Sequence, residues 1–145
     1  MNPPSSAHPV PAIAAERLAE LVGIALERTA FIFSDPAPLD PADVKVATHA
    51  AVIRYRGASS GTIVVRAGEG FLRTLAAGLL GLEPAEVVLD DHADDALKEL
   101  ANIVGGSVID ELGGRTRTFH LGLPESTQPA QVLASPPDTV QCCLR

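Results

Sequence analysis

The stretch from Asp94 to Gly114, DDALKELANIVGGSVIDELGG, constrains the fold more than any other part of the chain. At about 100° per residue, Leu97, Leu100, Ala101, Val104, Val108 and Leu112 fall in one broad apolar sector, while Asp95, Glu99, Asn102 and Gly106 gather within roughly 60° on the opposite side. The spacing predicts one helix that buries one face and displays a carboxylate and an amide on the other. Asn102 follows Glu99 by three residues, so the two side chains are neighbours, and the strip continues one turn further into Gly106, which offers bare backbone. Gly105 and Gly106 each cost about 1 kcal/mol against alanine inside a helix. A plain surface helix has no reason to carry that penalty, so a partner is expected to come close there.

The remainder of the chain supplies a sheet and further helices. Ile13 to about Phe33 repeats apolar residues at three and four, which predicts a long amphipathic helix ended by Asp35-Pro36, Pro38 and Pro41. Val46–Arg56 and Thr62–Ala67 are β-branched or alternating runs joined by Gly57-Ala-Ser-Ser-Gly61 and predict a hairpin. Glu69–Leu80 predicts a second helix, with Gly81 at its C-cap. After the central helix, Thr116–Leu123 alternates as a strand closed by Pro124, and Gln131–Arg145 is expected to form one more hairpin around Ser135-Pro-Pro-Asp138. Hairpins with intervening helices give an α+β domain of two layers, an antiparallel β-sheet with long α-helices packed on one face.

With 145 residues, 46% of them hydrophobic, the chain can bury a core of its own. The expected organisation is a disordered leader over 1–12 and a single domain over 13–145. No apolar run reaches membrane-spanning length and the N-terminus lacks the pattern of a signal peptide, so a cytoplasmic protein is expected. Cys142 and Cys143 are adjacent, a poor geometry for pairing with each other, and two sulfurs alone cannot make a structural zinc site.

The formal net charge is −7. Half of the acidic residues lie between Glu83 and Glu111, where Lys98 is the only base. Such a surface repels phosphate backbones and favours a protein partner with a basic contact. Asp90, Asp91, Asp94 and Asp95 also have a structural explanation, since carboxylates near a helix N-terminus are favoured by the helix dipole. The first helix echoes the central one: Glu16, Glu20 and Gly23 repeat the spacing of Asp95, Glu99 and Asn102, with glycine where the amide would stand. If the echo is a repeat, only the second copy keeps its amide.

Asp95-x-x-x-Glu99-x-x-Asn102, followed by glycines and then, after a strand, by Pro124, resembles the signature of the CheC/CheX/FliY group of chemotaxis phosphatases. The resemblance runs from about Ile13 to Pro124, and the single intact copy is more similar to CheX than to CheC. It implies a phosphatase acting on a CheY-like response regulator. Asn102 would enter the regulator's active site and orient the attacking water, and Glu99 would pair with a regulator lysine. Asp95, Ile103 and Gly106 would contribute to the docking face. No cofactor of its own is implied, because Mg²⁺ sits in the regulator's active site. Members of the group are often dimers, so a homodimer pairing across a sheet edge is expected, through Thr116–Leu123 or the tail.

Two other classes are open to the same residues. A non-catalytic binding module resembling the FliM middle domain would share the fold and leave Glu99 and Asn102 without a task. A self-contained metal hydrolase would instead use His92, Asp95 and Glu99 on one helical face, although His92 is expected at or before the helix start.

Overall fold

The computed structural model describes residues 13–113, 118–132 and 139–145. Three helices form one layer: α1 (Ala15–Ala30), α3 (Glu69–Leu80) and α4 (Leu89–Gly113). Beneath them lies an antiparallel sheet centred on β2 (His49–Gly57), paired on one side with β3 (Gly61–Ala67). On its other side β2 pairs with β4 (Phe119–Leu121) and then β5 (Glu125–Thr127). This is the two-layer α+β arrangement expected from the hydrophobic periodicity.

The core joins Leu97, Leu100, Ala101, Val104 and Val108 of α4 to Ala51 and Ile53 of β2 and Leu72 and Leu75 of α3. Many of the buried positions are alanines, so the elements approach closely. At the crossing of α1 and α3 the approach is close enough that a Cβ on Gly78 would collide with the Ala30 carbonyl. No polar or charged residue is buried among the described residues. Hydrophobic burial and helix-to-sheet packing therefore carry the stability.

Several boundaries differ from expectation for identifiable reasons. α1 is shorter than predicted because Phe31 adopts a left-handed conformation at its C-cap, φ 57°, with its N–H bonded back to Glu27. The proline-rich segment after it contains a further helix, α2 (Pro41–Val46). Asp40 caps α2 by accepting from Ala42 N–H at 2.9 Å, and Pro41 occupies its first turn, where a proline costs no hydrogen bond. α4 begins at Leu89, earlier than Asp94, so only Asp90 and Asp91 lie in its first turn. His92 is consequently inside the helix, where Nδ1 accepts the Val88 N–H at 3.1 Å.

Pro124 does not close the strand. β4 pairs Tyr55 with Leu121 and β5 pairs Val52 with Glu125, a register that slips by one residue between them. Gly122 N–H still donates to Arg54 O at 2.7 Å, so Gly122 and Leu123 share one partner position in a β-bulge. Proline, which has no N–H to give, sits where the ladder is interrupted. Among the described residues, the end of the tail pairs with a distant segment. β6 (Cys143–Leu144) pairs with β1 (Pro36–Ala37), a separate two-stranded ribbon bracketed by reciprocal backbone bonds between Asp35 and Arg145. The turn expected at Ser135–Asp138, the leader at 1–12 and the start of the Thr116 strand lie outside the described residues.

Candidate functional site

α4 presents Asp95, Lys98, Glu99 and Asn102 to an open depression whose other wall is Leu123 and Pro124. The bulge builds that wall. By slipping the register after Leu121, it turns Leu123 outward to 86% exposure and sets Pro124 beside the helix. The proline expected downstream of the helix thus lies next to the amide it was associated with. Sequence reasoning missed Leu123 and treated Lys98 only as a charge; Leu123's adjacency to Pro124 was the available signal.

Glu99 and Asn102 are both exposed, one turn apart on α4. Among the described residues, neither side chain has a hydrogen bond or ion pair within the protein. Both are therefore free to engage something outside it, and neither is held for the stability of the fold. Asp95 differs: its carboxylate lies 3.3 Å from Lys98 Nζ, an exposed pair of small energetic weight that sets the charge beside Glu99. Ile103 is half-buried against the core, on the flank of the strip.

The two adjacent glycines separate into different roles. A Cβ on Gly106 would meet nothing within 4 Å, so packing inside the protein does not require glycine there. A Cβ on Gly105 would lie 3.0 Å from Leu121 Cδ1 and 3.4 Å from Ile53 Cγ2. Gly105 lets α4 sit down on the sheet, which corrects the expectation that both glycines serve a partner. Only Gly106 continues the exposed strip.

The C-terminal end of α4 is tied to α1 by a forked contact. Arg17 Nε and Nη2 donate to the two Glu111 carboxylate oxygens at 2.9 and 3.0 Å, and Nη1 donates to Glu20 at 2.7 Å. The Arg17 guanidinium holds the Glu111 carboxyl below the usual carboxylate range. The His92, Asp95, Glu99 set does not assemble into a metal site. His92 Nδ1 is occupied by the backbone, and no cluster of His, Cys, Asp or Glu able to hold a metal ion occurs among the described residues. Nor is any helix among them long and apolar enough to cross a membrane.

An exposed carboxylate and amide on a helix, with no metal-holding cluster among the described residues, can orient a water or pair with a cation presented by another protein.

Comparison with known proteins follows the same line. A family model described as "Chemotaxis phosphatase CheX" matches residues 49–144. Among solved structures, the chemotaxis protein CheX of Desulfovibrio desulfuricans superposes with a TM-score of 0.63 at 20% identity, over 79% of this chain and 76% of that one. CheX of Vibrio vulnificus gives 0.63 at 18%, over 77% and 74%. The CheX-CheY-BeF3-Mg+2 complex of Borrelia burgdorferi gives 0.64 at 12%, over 86% and 83%. At these identities the structures establish a shared fold. No curated protein matches the sequence at a significant level.

Proposed function

The chain belongs to the CheX family of chemotaxis phosphatases, and from that premise we propose that it dephosphorylates a CheY-like response regulator through Glu99 and Asn102. The observation that carries the proposal is the pairing of those two side chains on the exposed face of α4, unengaged by other groups among the described residues, beside the Leu123–Pro124 bulge.

The chemistry suits so sparse a site. An aspartyl phosphate on a regulator already has a Mg²⁺ ion and an acidic pocket around it, so the helper must only place a water in line with the phosphorus. An uncharged amide does this without repelling the phosphoryl oxygens. Asn102 holds the water through its carbonyl or amide group, and Glu99 pairs with a lysine of the regulator to fix the approach. Asp95 and Ile103 border the contact, and Gly106 lets the helix come close without an intervening side chain. The solved CheX-CheY complex from Borrelia burgdorferi, which includes Mg²⁺, supports a CheY-like partner that carries the metal. A homodimer is part of the proposal: β4 lies at a margin of the sheet, and its outer edge is unpaired among the described residues.

The test is the rate of phosphate loss from each response regulator of the same genome, with and without the protein. At least one regulator should lose phosphate faster. If none does, and one still binds, the non-catalytic module resembling the FliM middle domain is the correct reading.

A further inference from the structure

A second surface, on α1, remains unexplained by dephosphorylation. Two of the chain's four phenylalanines are exposed at its edge, Phe31 at 79% and Phe33 at 78%. Phe31 also occupies a left-handed C-cap, a position where glycine is the inexpensive choice, and its ring recovers little packing in return. Beside Phe33 runs a groove between α1 and the β1–β6 ribbon, with Ile24 and Leu144 contributing apolar surface. Ser34 lies in the same wall, and its hydroxyl is a buried polar atom without a hydrogen-bond partner among the described residues. Folding alone does not account for these choices, because exposed aromatics grouped at a groove mark a contact surface.

The charge of the groove specifies the contact. Glu16, Glu20, Glu27 and Asp35 line it, and of these only Glu20 has an ion pair among the described residues, to Arg17. The acidic strip has the spacing of the one on α4, but Gly23 stands in place of the amide, so the groove has what docking requires and lacks a group to orient water. A Cβ on Gly23 would meet only ordinary contacts, Leu144 Cδ2 at 3.8 Å and Ser34 Oγ at 3.9 Å, so crowding does not dictate the glycine. Nucleic acid is repelled by such a lining. A second copy of this chain, itself carrying −7, is a poor electrostatic match.

We propose that the groove between α1 and the β1–β6 ribbon docks a basic, amphipathic peptide segment of a partner protein, with an apolar anchor against Phe33 and Ile24 and lysines or arginines over the carboxylates. The site is separate from Glu99 and Asn102 and independent of the reaction proposed for them.

Fluorescence anisotropy with a short labelled peptide of alternating lysine and leucine, against the same peptide with glutamine for lysine, tests it on the full chain. The basic peptide should bind and the glutamine peptide should bind at least roughly tenfold more weakly, with an affinity that falls as salt rises. Phe33→Ser, and separately Glu16→Gln with Glu27→Gln, should each weaken the basic peptide by roughly tenfold while leaving regulator dephosphorylation unchanged. Circular dichroism and melting confirm that the variants are folded, since the side chains concerned are exposed. Equal binding to the wild type and both variants overturns the proposal, as does loss of binding on Asp94→Asn instead, which places the peptide on α4. Conversion of a dimer to a monomer by Phe33→Ser in light scattering also overturns it, because the occupant is then a second copy.

Discussion

Replacing each of the two adjacent glycines of α4 by leucine should give opposite results. At Gly106 the new side chain enters open space, so the substitution gains helix propensity of about 0.8 kcal/mol. For a domain of this size that corresponds to a rise in melting temperature of about 3 °C. The same side chain projects from the strip that carries Asn102 and holds a docked regulator away from it. Misplacing a reacting group by about 1 Å costs on the order of a hundredfold in rate, so Gly106→Leu should lose at least that much dephosphorylation while melting higher. At Gly105 even a Cβ would lie 3.0 and 3.2 Å from the two Leu121 methyls. Gly105→Leu overpacks the helix–sheet contact by about 1–3 kcal/mol or more and should lower the melting temperature, with activity falling only as far as the folded fraction does. Thermal melts and single-turnover phosphate release on both variants decide the matter. A Gly106→Leu protein that is fully active, or that melts below the wild type, would refute the assignment of that position to the docking face.

Glu99→Gln keeps size and helix propensity but removes the charge, and should weaken regulator binding by about 1 kcal/mol, roughly fivefold, at low salt. Titration at two ionic strengths checks it: the variant should show a flatter salt dependence, and unchanged affinity at low salt removes the lysine contact. Gly78→Ala should destabilise by about 1–3 kcal/mol, read in urea, because its Cβ would collide with the Ala30 carbonyl. The forked Arg17–Glu111 contact lowers the Glu111 pKa in the folded state, so its contribution to stability is present above the ordinary glutamate value and lost as the pH falls through the folded one. Melts of Glu111→Gln should therefore lie below the wild type at neutral pH and converge with it in acid. A difference that persists below about pH 3, under the ordinary glutamate value, would show that the contact acts through packing.

Local patterns in the sequence translated well where one element decided its own boundaries. α3 spans Glu69–Leu80 as read, with Gly81 left-handed at its C-cap, because a single glycine after an apolar run is a sufficient stop signal. The exposed strip of α4 was equally legible, since helical periodicity alone places Glu99 and Asn102 together. Asp40-Pro41 is a start signal of the same local kind, yet among several prolines it reads as part of a helix stop, which hides α2. What lay beyond reach was non-local. The β1–β6 pairing joins the segment after α1 to the C-terminal residues, far apart in sequence, and the resumption of the strand after Pro124 depends on a register shift against β2. The two glycines looked alike in sequence, and only the Leu121 methyls against Gly105 tell them apart.

The most direct test of the account is the rate of phosphate release from a phosphorylated regulator in the presence of Asn102→Ala. Asn102 is exposed and has no hydrogen bond or ion pair among the described residues, and alanine is the better helix former by about 0.5 kcal/mol, so the variant should melt at or slightly above the wild-type temperature. It should bind the regulator with similar affinity, because Glu99 and the rest of the face are intact. Its acceleration of phosphate loss should fall about a hundredfold, on the scale of the roughly 3 kcal/mol lost when one preorganised polar group is removed from an active site. Retention of half or more of the wild-type acceleration by a folded, binding-competent variant would contradict the claim that this amide orients the attacking water.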